Sequence, residues 1–415
     1  MSRSKWHISE FVRDTWRHKL TRPGRVMLVG ILLAGSAGGA TLYLPIYHLF
    51  VILTALYVVA FFGGWVFRPR VKVRGELPEK TSAGQTLHGE VEIENRSRLT
   101  GYGLSLGLFG LPQSLEQVDL DWVVPALAPG ERAECEVKIR ARRRGIYQLP
   151  DLRPFSTFPF NLFRSRGRGE PAGSLTVLPS FHPLIDIDVP VGRLYQPGGI
   201  VLTSNVGESL EYIGNREYRP GDPTRRIDFR SWARLAKPVV REYQEEYYCR
   251  LALVLDTHVA EGRRRGPEGF PELEAGISLA ASVADVLAEG EYIIDIFAAG
   301  PELYVFRGGR HTGHLDNILE ILACVEECRQ SPFETIAPAL VEELRSITAI
   351  VFVLLDWDEE REHFVRTAVE SGAGARVLIV RDKQTTLPVE PAQDWAGRIR
   401  QFSPREVRSG AIDTL

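Results

Sequence analysis

Arg216, Glu217, Arg219, Asp222, Arg225, Arg226, Asp228, Arg230, Arg234 and Arg241 crowd the stretch NREYRPGDPTRRIDFRSWARLAKPVVR, Asn215–Arg241. A guanidinium fork meets a carboxylate through two hydrogen bonds at once, so opposed charges at this density can build a fixed ion-pair network or receive an anion. Arg219-Pro220-Gly221-Asp222 reads as a turn, with proline setting φ and glycine accepting a positive φ at the next position. Asp222 is then free to accept backbone N–H groups or a guanidinium, and Glu217 and Asp228 remain for the other arginines. Locking the segment in place is the expected role. The alternative is an anionic site in which Arg216, Arg225, Arg226 and Arg230 take an acidic partner loop or a phosphate.

A second group of carboxylates follows. The apolar run LALVL leads into Asp256-Thr257-His258, and Ala349–Leu355 leads into Asp356 in the same way. A third run, Ala375–Val380, ends in Arg381-Asp382. Continuous apolar runs of this length suit parallel strands buried on both faces. Helical periodicity separates them: Leu273, Ile277, Ala281, Ala284 and Leu287 share one face, as do Leu315, Ile318, Leu319, Leu322 and Val325. Ala337–Leu344 and Glu359–Glu370 read as further helices, and Tyr292–Ala298 and Leu303–Phe306 as further strands. The alternation predicts a mostly parallel sheet covered on both faces, with ligands expected outside the carboxyl ends of the strands. Asp256, Asp356 and Asp382 all fall at such ends.

Several chemistries have no foothold. There is no Gly-x-Ser-x-Gly elbow, no His-Glu-x-x-His helix, no phosphate-binding glycine loop followed by Lys-Ser or Lys-Thr, and no dinucleotide fingerprint. Hydrolase activity is therefore the least favoured reading. His311, His314, Cys324 and Cys328 suggest zinc only superficially. A helix from Leu315 puts Cys324 roughly 14 Å from His314 at 1.5 Å per residue, whereas zinc ligands lie about 2.0–2.3 Å from one ion. The formal net charge of −3 gives no sign of nucleic-acid binding. Nothing defines a small-molecule ligand. The four cysteines are scattered, as in a reducing compartment.

The elements upstream are of two further kinds. Val26–Leu44 and Ile46–Phe67 are non-ionic runs parted by Pro45, each long enough to cross a hydrocarbon core of roughly 30 Å. Gly30, Ala34 and Gly38 form a stripe of small residues on the first, suited to close helix packing. Arg13, Arg17, Lys19, Arg22 and Arg25 precede the pair and Arg68, Arg70, Lys72 and Arg74 follow it, while the link carries no Lys or Arg. The positive-inside rule then puts both ends in the cytoplasm. From Val71 to about Pro183 short alternating segments such as LHGEVEIE and CEVKIR, separated by turns, predict an antiparallel immunoglobulin-like sandwich. Within it, FPFNLF (Phe158–Phe163) reads as the corner of the sandwich core, or else as an exposed contact patch.

With these residues in view, the chain resembles the domain of unknown function 58 family. The resemblance rests on REYRPGDPTRRIDFRSWAR, VREYQEE and LALVLD, and on Phe158-Pro-Phe-Asn-Leu-Phe, which is similar to the family's Asp-Pro-Phe-Gly-Leu-Phe with Thr157 or Phe158 where the acid stands. The family motif falls on Arg216, Glu217, Tyr218, Pro220, Gly221, Asp222, Arg225, Arg226, Asp228, Arg234, Arg241 and Glu242. The resemblance implies a C-terminal α/β domain like the von Willebrand factor type A fold, and association with AAA+ ATPases of the MoxR type. It establishes no enzymatic activity. Type A domains often hold a divalent cation such as magnesium on an Asp-x-Ser-x-Ser loop, a distant Thr and a later Asp. Asp256 matches the first Asp, Thr335 and Asp356 are candidates for the others, but His258 and Ala260 replace the serines. Arg263, Arg264 and Arg265 follow closely and oppose a cation. No cofactor is expected, and a carboxylate that caps a helix or pairs with an arginine is the preferred role of Asp256.

The expected layout is a basic N-terminus (1–25), a transmembrane hairpin (26–67), the sandwich (71–183), a linker bearing the arginine motif (184–248), the type A-like domain (249–385) and a tail (386–415). The expected protein is a multi-pass protein of the bacterial inner membrane, with both termini cytoplasmic. It acts as a protein–protein adaptor for a MoxR-type ATPase, with Asp256, Thr257, His258, Thr335 and Asp356 around the docking or degenerate metal site. The alternative is a structural membrane scaffold without an ATPase partner.

Overall fold

A computed structural model describes residues 19–415 except 42–43, 119, 121–122, 190–211, 221, 223, 244–249, 290–292, 300–302, 308–314, 330, 332, 334–335, 339, 341–343, 345–346 and 390–398. The chain divides into two compact units, Met1–Leu178 and Pro179–Leu415.

The first unit opens with helices α1 (Arg22–Thr41) and α2 (Leu44–Val66). Thr21 starts α1: its hydroxyl accepts from the Gly24 amide at 3.1 Å, and Pro23 stands where a missing N–H costs nothing. Among the described residues, one stretch, Pro45–Val66, is long and apolar enough to cross a membrane. The expected first span, Val26–Leu44, is helical as far as Thr41, and residues 42–43 lie outside the described ones; a second candidate span is not shown. The small-residue stripe is also corrected. A Cβ on Gly30 would meet nothing, whereas one on Gly35 would lie 3.0 Å from the Phe50 ring of α2. Ile52, Val59, Phe62 and Trp65 of α2 are exposed.

The rest of this unit is mainly β-sheet. Strands β1 (Val71–Arg74), β2 (Lys80–Ser82), β3 (Thr86–Asn95), β4 (Gly101–Leu108), β5 (Leu115–Val118), β6 (Val124–Leu127), β7 (Arg132–Ala141), β8 (Gly145–Gln148), β9 (Leu152–Ser156), β10 (Ser165–Arg166) and β11 (Ser174–Leu178) form three sheets, ordered β1-β3-β7-β5, β10-β9-β4-β6 and β2-β11-β8. Alternation decides the faces: Leu87, Val91 and Ile93 of β3 and Cys135, Val137 and Ile139 of β7 point inward, and Leu104, Leu106 and Leu152 of the second sheet share their core. Burial in that core pushes the Cys135 thiol up to about 12, so it is a small apolar filler rather than a nucleophile.

Phe158–Phe163 lies between the sheet and the helices, not in the sandwich core alone as expected. Phe158 lies 4.9 Å from Tyr102 of β4 and 5.0 Å from Phe67, and Phe163 4.7 Å from Tyr57 and 5.7 Å from Phe61 of α2, between ring centres. The Leu162 carbonyl accepts from the Thr21 amide at 3.2 Å. A Cβ on Gly24 would fall 2.1 Å from that carbonyl oxygen, and one on Gly63 3.1 Å from Pro159. The sequence showed the aromatics but not the nearby helix ends that give them a surface to cover.

In the second unit, β12 (Tyr212–Glu217) and β13 (Val239–Tyr243) pair antiparallel around a short helix, α3 (Phe229–Leu235). A six-stranded sheet follows, built from β14 (Arg250–Leu255), β15 (Ile293–Ala299), β16 (Leu303–Arg307), β17 (Ala349–Leu354), β18 (Gly374–Val380) and β19 (Ile399–Phe402), in the order β16-β15-β14-β17-β18-β19. Every pairing is parallel except β15 with β16. Helix α4 (Pro271–Glu289) sets Gly276 against Val353 and Leu355 on one face. On the other face, Phe364 of α6 (Glu359–Glu370) lies 5.7 Å from Phe352, and α5 (Leu315–Cys324) is a further helix of this unit. With both faces covered, β17 is buried along its whole length, which explains its unbroken apolar run. Segment 386–415, expected as a tail, instead supplies edge strand β19 and helix α7 (Pro404–Ser409). Ser403 and Glu406 cap α7 reciprocally. A four-residue strand and a two-turn helix leave too short a periodicity to stand out in the sequence.

Candidate functional site

The parallel strands β14, β17 and β18 deliver Asp256, Asp356 and Asp382 to one end of the sheet, as expected of strand tips. A cleft of about 530 Å³ lies there, lined by residues that include His258, Arg263, Asp356, Asp358, Arg361, Arg381 and Lys383.

Asp256 and Thr257 are fully buried, which corrects their expected place on a docking surface: neither can touch a partner. Each Asp256 oxygen is engaged. Oδ1 accepts from the His258 amide at 2.9 Å; Oδ2 accepts from the Leu355 amide at 2.9 Å and from Arg361 Nε at 2.9 Å, with Arg361 Nη2 at 2.8 Å. Arg361 is only 4% exposed. It also pairs with Asp358, the N-cap of its own helix, and lies 5.3 Å over the Phe333 ring. Burial works against its charge, but Asp256 and Asp358 more than offset this and raise its pKa.

Asp356 repeats the pattern nearer the surface. It accepts from the Trp357 and Thr386 amides at 2.8 and 3.0 Å and from the Thr386 hydroxyl at 2.7 Å, and it pairs with Arg381. Burial alone would raise its carboxyl, yet the Thr386 and Trp357 hydrogen bonds and the Arg381 charge hold it below the usual range. Asp382 is exposed. The arginine loop finds acids of its own: Arg263 meets Glu272 at 2.7 Å, Arg265 pairs with Glu327, and Arg329 donates to the Ala260 carbonyl at 3.1 Å.

These residues do not fit a divalent cation. The lone pairs that Asp256 would offer are taken by backbone amides and by a guanidinium that already supplies the positive charge. Asp356 is similarly occupied, and Ala260 has no ligand atom. Among the described residues no group of three His, Cys, Asp or Glu side chains could hold a metal. Thr335, His311, His314 and Cys249 lie outside the described residues. Cys324 and Cys328 are in no disulfide among the described residues; the backbone of Cys328 pairs with Thr257 and Val259. Arg361 is the residue that sequence reasoning missed. An arginine in the first turn of a helix, three residues after an Asp, looks like an ordinary surface pair.

The arginine motif forms its own network on β12, β13 and α3. Arg216 grips Asp222 with both terminal nitrogens, at 2.7 and 2.8 Å, and the Arg219 amide donates to Asp222 at 2.8 Å. The Asp222 amide returns to the Arg219 carbonyl at 3.0 Å, closing a turn across Pro220; Gly221 lies outside the described residues. The Arg216 side chain and then the Arg219 amide bring the Asp222 carboxyl down to about 2. Asp228 caps α3, accepting from the Arg230 and Ser231 amides, the Ser231 hydroxyl and Asn215, with Arg241 3.8 Å away. Its carboxyl also falls to about 2, through Ser231 first. Glu217 meets Lys237 at 3.1 Å in the open. The Tyr218 amide donates to Pro238, and Glu242 pairs with Gly214 through β13. Arg225, Arg230 and Arg234 are exposed, as are Phe229, Trp232 and Leu235 of α3, while Arg226 is half-buried.

Residues 214–391 match the model of the family described as protein of unknown function DUF58. That span takes in both the arginine network and the strand-tip cleft. No curated protein is similar to the chain. Among solved structures, a beta-glucosidase from Listeria innocua in complex with gluconolactone is 17% identical over 26% of this chain and 16% of its own, with a TM-score of 0.15. The Vibrio cholerae VesB protease is 12% identical over 29% and 34%, with a TM-score of 0.16. A GH20 exo beta-N-acetylglucosaminidase from Vibrio harveyi in complex with N-acetylglucosamine is 10% identical over 83% and 81%, with a TM-score of 0.18. The chain thus spans well under two thirds of the first two, and at these TM-scores none of the three informs the fold.

Proposed function

We propose that this chain is a membrane-anchored protein–protein adaptor, and that its strand-tip cleft receives a MoxR-type AAA+ ATPase or a client of one. The observation that carries this reading is the cleft's charge pairing, inside the segment that matches the DUF58 model. Asp256, Asp356 and Glu272 at the cleft are each held by an arginine. Such a surface is preorganised to recognise rather than to react. The strand order β16-β15-β14-β17-β18-β19 with one antiparallel edge resembles the von Willebrand factor type A arrangement. Two of the three sheets of the first unit, packed on one core, resemble an immunoglobulin-like sandwich. Both likenesses support an interaction module.

The anchor would be α1 and α2 crossing the bacterial inner membrane as a hairpin. Arg22 and Arg25 at one end and Arg68, Arg70 and Lys72 at the other favour cytoplasmic termini.

Docking would use the exposed rim of the cleft. Lys383 stands on it with no ion-pair partner among the described residues. Affinity capture of the full chain from host membranes tests the proposal, with Lys383→Glu and Lys383→Arg beside the wild type. A MoxR-type ATPase should copurify with wild type and Lys383→Arg, and fall about tenfold with Lys383→Glu, as for the loss of about 1.4 kcal/mol. Absence of the ATPase from wild type would favour a scaffold instead. Equal retention by Lys383→Glu would move the docking site off this rim.

A further inference from the structure

We propose that a second cleft, at the foot of α2, binds the phosphate headgroup of an anionic phospholipid. The cleft is about 730 Å³ and belongs wholly to the first unit. Trp65 and Val66, in the last turn of α2, form one wall; Arg68, Arg70 and Lys72, on the chain leaving the helix, form the next. Arg96 and Arg168 close it from the β-sheet side, and Glu170 is the one acid in the lining.

The cluster contrasts with paired arginines of the same unit. Arg142 meets Glu116, and Arg153 meets Asp151 at 2.9 Å. In the cleft, Arg70, Lys72 and Arg168 have no carboxylate partner among the described residues. Arg96 lies 3.5 Å from Glu94, and Arg68 donates through Nε to the Arg166 carbonyl at 2.7 Å, which aims the rest of its guanidinium without neutralising it. The backbone is equally fixed, since the Arg96 amide donates to the Arg70 carbonyl at 3.0 Å. Gathering like charges on a rigid frame is unfavourable unless an anion joins them, and guanidinium groups match the oxygens of a phosphate in pairs. Location selects the source of that phosphate. Pro45–Val66 is the apolar stretch long enough to cross a membrane, and Trp65 at its end is 72% exposed, as an indole in the headgroup layer would be. Basic pockets at the cytoplasmic ends of membrane helices are built to hold acidic headgroups.

This inference rests on the membrane anchor proposed above, and the two can fail separately. Extraction of host membranes with alkaline carbonate tests the anchor: release of the chain would remove it. For the cleft, the full chain in zwitterionic detergent is mixed with equal phosphatidylglycerol and phosphatidylcholine, and retained lipid is counted by native mass spectrometry. Phosphatidylglycerol should be retained about tenfold over phosphatidylcholine, less so at high salt. The triple change Arg70→Gln, Lys72→Gln, Arg168→Gln should bring the ratio near one at an unchanged Tm, while Arg70→Lys with Arg168→Lys keeps most of it. Equal retention of the two lipids by wild type, or an unchanged ratio in the triple variant, would overturn the proposal. So would displacement of phosphatidylglycerol by an equal concentration of inorganic phosphate, which would mark a site for free anions.

Discussion

The cleft at the strand tips and the cleft at the foot of α2 are both rich in arginine, and they use it in opposite ways. At the strand tips Arg361, Arg381 and Arg263 each meet a carboxylate. At the foot of α2, Arg70, Lys72 and Arg168 meet none among the described residues. Residue counts cannot tell a structural cation from a binding one; the carboxylates within reach of each side chain can. The arginines of the first cleft are already matched, whereas those of the second gain from an anion.

The largest effect that could break this contrast lies at Arg361. Arg361→Ala leaves the Asp256 carboxylate buried without its cation, which should cost about 3–5 kcal/mol. Chemical unfolding of the full chain in detergent measures it, and a loss below about 1 kcal/mol would mean that the pair is not structural. Adding Asp256→Leu to Arg361→Met should recover much of that loss, because the stranded charge is then removed.

Next in size is a change that leaves all charges alone. Gly24→Ala drives a methyl group against the Leu162 carbonyl and should cost about 1–3 kcal/mol, read as a fall in Tm. An unchanged Tm would show that the contact between α1 and residues 158–163 yields freely.

Acid sharpens the comparison at the arginine motif. The folded carboxyls of Asp222 and Asp228 titrate at about 2, below the ordinary value of about 3.9. Their contribution is therefore fully present above the ordinary value and is lost as pH falls through about 2. The protection of the Arg219, Arg230 and Ser231 amides, taken as exchange relative to the unstructured rate at each pH, should fall over that window and be flat from pH 5 to 7. A fall already at pH 5 would contradict the assigned bonds.

The smallest effects are expected where charges are exposed or already matched. The triple glutamine change at Arg70, Lys72 and Arg168 should move unfolding by no more than about 0.5 kcal/mol, since no folded partner is lost. Millimolar magnesium should leave Tm unmoved, because a ligand stabilises only through a site that it can occupy. A rise in Tm would reopen the strand tip as a cation site.

Much of the architecture was legible in the sequence because burial leaves a period. The alternation in β3 and β7, the unbroken runs of β14 and β17 and the helical face of α4 each report which sides are covered. The strand-tip carboxylates followed from the same reasoning. What stayed hidden depended on distant partners. Arg361 reaches Asp256 from another helix, and no spacing announces a contact between residues so far apart in the chain. The role of Phe158–Phe163 needed the helix ends beside it. The four residues of β19 were too few to show a period, and their meaning came from the free edge of β18.

The loop at residues 158–163 has a mechanical consequence. Near one foot of the helical pair it meets Thr21 and Gly24, and near the other it meets Tyr57, Phe61, Gly63 and Phe67. A domain hung on a flexible leash sweeps a hemisphere and searches for its partners. One bolted at two points to a pair of packed helices stands as a post, with its height and heading fixed by the helices themselves. The β-sheet region of the first unit therefore has little reach of its own, and whatever engages it must travel the remaining distance.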